Sequence, residues 1–541
     1  MDERNGGGCL VVGVMKRGAG RWMSRLLLCW SFVLLCFAGG AIGRGEAKSI
    51  VYIPADDRPV SLGYVVDTLQ AASCQLIVPP AELLAGRGRT GKPEALWQWL
   101  AEQAPAADAF VLSGDTLIYG GLVDSRTHEL PGFILEGRLQ RFAGLRLMNA
   151  RAPVYVFATL MRSPKMSVGG MEPVYYEKYG GALFQLTALQ DEAELRGLSE
   201  EEQSKLQSLE ASLPQEYLSD WLERRAKNYQ IDTGLLALLK QKQLDYLLLG
   251  RDDTSPFSRS HQEFRSLQPL VRDLPAGTFA SFPGADQLGM VLLTRASNRL
   301  AGKRPAVYVR YAAGAGPDTV ASYEDQPLGL TVVDHIKAAG GRVAATAQQA
   351  DLVLYLNTPL TGKTEEADVF TNLPVREERT EKLAQQMAED IRAGRPVAMA
   401  DVAYANGADN SLLQAMFKQG LLDKLAAYSG WNTASNTLGY ALGQGLLARN
   451  MDDKERKRLL AVRYLEDWAY QANIRPEVCW EVVYLNQGRT EYLSWLNPEA
   501  AARTNEKLQR FARRFLWIDP AAIRVAYPWD RMFDLAVVVA P

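Results

Sequence analysis

Short continuous apolar runs, rich in β-branched and aromatic residues, alternate with longer helical stretches along most of the 541-residue chain. Ten such runs stand at 49–54 (SIVYIP), 75–80, 109–115, 153–161, 245–253, 277–286, 306–311, 351–359, 396–403 and 425–432. Their apolar positions are contiguous and not alternating, as required of strands covered by helices on both faces, so they predict parallel strands joined by crossover helices. Ten strands are too many for one simple eight-stranded barrel. The expected class is therefore α/β, in three parts. An N-terminal unit over 48–300 is TIM-barrel-like or doubly wound, a second Rossmann-like αβ unit covers 301–450, and a helical C-terminal region with a terminal strand covers 451–541. The first boundary rests on the polar, Pro-bearing segment ASNRLAGKRP near 300. Within the first unit, 186–243 is polar and helical and predicts a helical pair over the sheet edge, with Ser199 and Glu202 spaced as a capping box. The helix at 328–341 ends in a Gly pair that fits a C-cap.

The N-terminus follows a different pattern. Lys16, Arg17, Arg21 and Arg25 precede an apolar run at 26–38. At about 13 residues it falls short of the ~20 that a spanning helix needs. Residues 1–47 are expected to be a secretory signal, cleaved after Ala41 or Ala47, which places the protein outside the cytoplasm, secreted or in the cell envelope. The whole chain carries 60 basic and 62 acidic residues. Removing 1–41 leaves 55 against 60, a net charge of −5, and two cysteines, Cys74 and Cys479. Nothing in that balance attracts nucleic acid, and membrane contact is expected only through the signal segment before cleavage. Two cysteines make no disulfide framework.

Candidate chemistry gathers at predicted strand ends, where α/β sheets bind ligands. The first strand runs into Asp56, Asp57 and Arg58; the third into Ser113, Gly114 and Asp115; the fourth into Thr159, Met161 and Arg162. The fifth runs into Arg251, Asp252, Asp253 and Thr254, and the sixth into Gly284, Asp286 and Gln287. A single Asp after a strand is most often a helix cap. Five strand ends with the same feature, two of them with paired carboxylates, point to a shared site. Neighbouring carboxylates raise one another's pKa, so one of Asp252 and Asp253 can stay protonated as a donor while the other is ionised. Both reach one substrate only if the chain turns between them. The same aspartates, Asp56, Asp115, Asp252 and Asp286, could alternatively serve as oxygen ligands for magnesium or calcium.

Two later clusters add to this. In SGWNTASNTLG (429–439), Asn, Thr and Ser before a helix make an anion- or hydroxyl-binding turn, with Trp431 beside Asn432 offering a flat face to a sugar. Tyr323, Glu324 and Asp325 form an acidic loop. The ADNSL turn at 408–412 reads as a helix cap. There is no P-loop, no GxGxxG after the first strand, and no HExxH, CxxC or GxSxG. Only His128, His261 and His335 are available as imidazoles, which argues against His-rich metal sites and a histidine base.

Five ordered motifs, IPADDRPV (53–60), SGDTLIYGGLVDSR (113–126), GRDDTSPF (250–257), PGADQLGMVLLTRASN (283–298) and YEDQPLG (323–329), resemble the bacterial family known as domain of unknown function 4127. The resemblance spans nearly the whole exported chain. It implies a bacterial exported protein and marks Asp57, Arg58, Tyr119, Arg126, Arg162, Asp252, Asp253, Asp286, Glu324 and Asn432 as motif positions, without assigning them roles. The chain has Gln287 and Gln326 where the family pattern has Glu and Arg, which argues against a catalytic role at either.

The resulting expectation is an exported hydrolase acting on a carbohydrate or cell-wall glycan, with Asp252 and Asp253 as the acid/base pair. Substrate-binding positions are Asp57, Arg58, Asp115, Arg126, Arg162, Asp286, Glu324, Trp431 and Asn432. Among them Asp115 and Asp286 would orient the sugar, and Arg126 and Arg162 would hold a carboxylate or phosphate. No cofactor is required. The alternatives are a non-catalytic two-domain receptor for a small ligand and a divalent-metal-dependent phosphoester hydrolase.

Overall fold

The computed structural model describes residues 48–166 and 170–540, so the predicted signal segment lies outside the described residues. Two parallel sheets carry the architecture. The first contains β1 (Ser49–Ile53), β2 (Gln75–Ile77), β3 (Ala109–Ser113), β4 (Val154–Leu160), β5 (Tyr246–Arg251) and β6 (Phe279–Pro283), in the order β2-β1-β3-β4-β5-β6. The second is built from β7 (Ala306–Tyr311), β8 (Arg342–Val343), β9 (Leu352–Asn357), β11 (Val397–Asp401) and β13 (Ala427–Ser429), ordered β13-β11-β9-β7-β8. Interleaved with the second sheet's strands in the chain, β10 (Glu365–Glu366) and β12 (Tyr404–Ala405) form a small ladder of their own.

Both sheets thus follow one doubly wound plan. The chain leaves the first strand for one side, returns, and adds the remaining strands on the other. Of the two forms expected for the N-terminal unit, the open wound sheet is the one present. Every residue of β1, β3, β4 and β5 is buried, which the contiguous apolar runs required. The two sheets share a plan that no sequence repeat announces, because strand order is set by crossovers and not by residue identity.

Three helices join the sheets, one of which, Leu328–Ala338, packs directly on β6. Helix 288–300 packs on β3 and β4 and also on helix 434–447, which in turn packs on β11 and β13. All residues of helix 434–447 are buried. Its glycines make this close approach feasible: a Cβ at Gly439 would stand 2.4 Å from the Gln287 Cβ, and one at Gly443 would stand 2.6 Å from the Met290 Cγ.

Around this frame, the predicted helical pair at 186–243 is three helices, Tyr176–Arg196, Glu200–Ser212 and Gln215–Lys240, the second opened by the Ser199–Glu202 capping box. Asp409 caps helix 410–418 as its motif predicted. The terminal run is an antiparallel hairpin, β14 (Ile523–Ala526) with β15 (Ala536–Val539), and not one strand. Its connecting loop, 527–535, is polar at Asp530, Arg531 and Asp534 and packs inward. Cys74 and Cys479 are free thiols. No helix among the described residues is long and apolar enough to cross a membrane.

Candidate active site

At the carboxyl ends of the first sheet's strands lies a cavity of about 410 Å³, closed on its far side by the 430–436 turn and by the C-terminal loop. Its wall includes Arg58, Arg126, Arg162, Asp252, Asp253, Asp286 and Asn432, seven of the eleven side chains the sequence offered. They arrive there through ion pairs that bridge one strand end to the next.

Beyond β1, the Arg58 guanidinium donates from Nε to Asp56 at 2.8 Å and from Nη2 to Asp286, beyond β6, at 2.6 Å. Asp286 also accepts from the Asn432 amide at 3.2 Å, while its backbone N–H donates to Asn436 Oδ1 at 3.2 Å. The second sheet's turn is thereby fastened onto the first sheet's strand end. Arg126, in the short helix Asp124–Thr127 after β3, pairs with Asp252. Arg162, after β4, donates to Glu172 and, at 2.7 Å, to Asp253. Burial raises the Asp286 carboxyl, with Arg58 opposing it. Burial also pushes Asp253 up to about 6, with Arg162 pulling down and Asp252 pushing up.

The turn needed between the two aspartates is present at Asp253, whose φ is +37°. Without that change of direction, consecutive side chains of an extended strand would face opposite sides. Three further wall residues, Tyr323, Asn406 and Asn432, hold φ of +67°, +59° and +62°. Left-handed backbone costs an L-residue about 1–2 kcal/mol, least for Asn and Asp, so its concentration on one cavity wall marks a place where side-chain direction outweighs local stability.

A family model described as Protein of unknown function (DUF4127) matches residues 50–538. The chain belongs to that family. No curated protein matches it.

Not all of the DUF4127 motif positions and strand-end candidates reach the cavity. Asp57 accepts from Trp529 Nε1 at 2.6 Å and from Arg89 at 2.8 Å, tying β1 to the C-terminal loop. Asp115 is buried behind the wall, where it accepts from Thr159 Oγ1 at 3.1 Å, and burial pushes it up to about 7. Glu324 accepts from the Ser435 backbone N–H at 2.6 Å and so caps the buried helix 434–447. Trp431 is only 2% exposed and packs against Tyr440 and Phe533, so its ring is core and offers no open face. Tyr119 stacks on His128. The two family departures have structural partners: Gln287 donates to the Pro283 carbonyl, and Gln326 accepts from Arg251.

Arg126 and Arg162, expected to hold a substrate anion, are occupied by the protein's own carboxylates. The four aspartates considered as cation ligands are likewise engaged elsewhere, Asp56 and Asp286 by Arg58, Asp252 by Arg126 and Asp115 by Thr159. Among the described residues no group of three or more His, Cys, Asp or Glu side chains is arranged to hold a metal ion. The three histidines lie off the cavity wall, and burial holds His128 down at about 4 and His335 at about 3.

The wall also contains residues the strand-end rule did not reach: Asn406, Asn436, Arg475 and Arg531. Asn436 lay within a flagged motif, but Arg475 and Arg531 belong to the helical region and the hairpin loop. A sequence signal for Arg531 existed in the charged DRMFD interruption of an otherwise apolar terminal run.

Proposed function

We propose that this chain is a hydrolase that cleaves a carbohydrate, with Asp253 as proton donor and Asp252, held by Arg126, as the base or nucleophile beside it. The carrying observation is that adjacent carboxylates on one wall have unequal surroundings. Asp252 pairs with Arg126 and Asp253 with Arg162, yet burial and the neighbouring Asp252 charge outweigh Arg162 and push Asp253 up to about 6. A carboxyl that keeps its proton near neutrality, beside a second carboxyl, is the requirement for protonating a glycosidic oxygen while a base or nucleophile acts on the anomeric carbon. The amides of Asn406, Asn432 and Asn436 supply both donors and acceptors suited to hydroxyl groups. A cavity of about 410 Å³ is in the range of small-molecule sites, roughly 300–1,000 Å³. The basic and apolar N-terminal pattern supports export, and with it an extracytoplasmic or cell-envelope glycan as substrate.

Separate Asp252→Asn and Asp253→Asn variants, assayed against a glycan panel by release of reducing ends, test this. Each is expected to lower kcat at least about 100-fold, the scale of lost acid/base assistance. Wild-type turnover should fall as pH rises through about 6, where Asp253 gives up its proton. Unchanged activity in both variants would overturn the assignment, and saturable ligand binding without any turnover would make the site a receptor's.

A further inference from the structure

Five arginines line the cavity, and four of them donate hydrogen bonds to carboxylates of the protein. Arg58 reaches Asp56 and Asp286, Arg126 reaches Asp252, Arg162 reaches Glu172 and Asp253, and Arg475 reaches Asp368 at 2.8 Å. Arg531 is the exception. Its Nε lies 2.9 Å from Asp534 Oδ2, but at an angle that makes no hydrogen bond, and both atoms are buried without a hydrogen-bond partner. The side chain is 10% exposed, so water does little for the Nε that its ion pair with Asp534 leaves without a hydrogen bond. Burial disfavours its cation most; the Asp534 carboxylate opposes that, and positive charge from Arg58, Arg87 and Arg162 adds to it. Arginine answers such crowding by keeping its proton and attracting an anion, since it does not deprotonate in proteins.

The loop around it is fixed in place. The Met532 backbone N–H donates to the Thr490 carbonyl at 2.9 Å, Gln471 donates to the Phe533 carbonyl at 3.1 Å, and Asp530 accepts from the Ser494 N–H and the Asn497 amide at 2.9 and 2.8 Å. Phe533 lies under the guanidinium, 5.3 Å from ring centroid to Cζ. A buried, planar, pre-positioned fork with unfilled donors is suited to bidentate capture of an oxyanion.

We propose that Arg531 is an oxyanion-binding residue of the cavity, and that the substrate is a sugar bearing a carboxylate or phosphate group. The sugar part rests on the hydrolase reading above; the oxyanion site does not. This moves anion recognition from Arg126 and Arg162, which donate hydrogen bonds to carboxylates of the protein, to Arg531, whose ion pair with Asp534 carries none.

Calorimetric titration of the full exported chain with glucuronate, glucose 6-phosphate and glucose tests it, with Arg531→Gln and Arg531→Lys alongside. At least one charged sugar should bind about tenfold or more tightly than glucose, equivalent to 1.4 kcal/mol, and the preferred one distinguishes carboxylate from phosphate. Arg531→Gln should erase the difference. Arg531→Lys, which keeps the charge but loses the fork, should retain part of it and serves if the glutamine variant fails to fold. Equal affinity for charged and neutral sugars, no saturable binding by either charged sugar, or wild-type affinity in Arg531→Lys would each overturn the proposal. Asp253→Asn should still bind the charged sugar. If the wild type binds it through Arg531 yet cleaves no glycan, the hydrolase reading fails while the oxyanion site stands.

Discussion

Asp115 shows how a buried side chain beside a site can be costly without touching ligand. It follows β3, is almost inaccessible, and accepts neutral hydrogen bonds from Thr159, through its hydroxyl and its backbone N–H. Burial raises its carboxyl from 3.8 to about 7. Below pH 3.8 the folded and unfolded chains both hold this proton and the group contributes nothing. As pH rises toward 7 the unfolded chain ionises first, so stability is lost across that window and the loss is complete above it. Asp115→Asn keeps an acceptor for Thr159 and cannot ionise. It should match the wild type near pH 4 and be more stable at pH 8, by a few kcal/mol at most, because one pKa unit is worth about 1.4 kcal/mol. Urea denaturation at the two pH values measures the difference, and an equal or lower stability at pH 8 would show that Asp115 holds its charge through a compensating partner.

At the scale of elements, helix 434–447 holds the two sheets in their relation, and its glycines set how near it lies. Gly439 faces the Cβ of Gln287, an atom fixed to the backbone, whereas Gly443 faces the Met290 Cγ, part of a flexible chain. Alanine gains about 1 kcal/mol of helix propensity at either position. At Gly439 the overlap must be relieved by moving helices, costing about 1–3 kcal/mol, and at Gly443 by turning one methionine. Gly439→Ala should therefore lower Tm clearly and Gly443→Ala little, with thermal melts as the measurement. The strands themselves were legible because contiguous apolar runs allow little else. Asp252 and Asp253 were legible as strand-end acids, and the condition that the chain turn between them is met at Asp253. Trp431 was misleading, since an aromatic beside a polar turn has the same spelling whether it faces a ligand or fills a core. Glu324 likewise carries a motif acid's signature while capping a helix that starts 110 residues further on. The pairing of Arg126 with Asp252 and of Arg162 with Asp253 was not legible at all, because guanidinium reach depends on the neighbouring strand and not on sequence spacing.

For the molecule as a whole, the cavity depends on chain segments that lie far apart: Arg58 near the start, Asp252 in the middle, Asn432 in the second sheet and Arg531 near the end. The C-terminal loop is the piece that composition could not place. Its attachment to the first sheet runs through Trp529, whose Nε1 donates to Asp57 at 2.6 Å while Arg58 lies 5.5 Å from its ring centroid. Tyr64 adds a second link, its hydroxyl donating to the Leu535 carbonyl at 3.0 Å. Trp529→Phe removes a hydrogen bond to a charged acceptor, worth about 1.5–3 kcal/mol, and leaves the second link intact. The loop should open locally before the sheets do. Hydrogen exchange followed by mass spectrometry should then show faster exchange over 527–535 and little change over β3 to β5, together with weaker binding of the charged sugar that Arg531 is assigned to hold. Uniformly faster exchange across both sheets would instead mean that the loop is part of the cooperative core, and that the Asp57–Trp529 contact supports the fold before it supports the site.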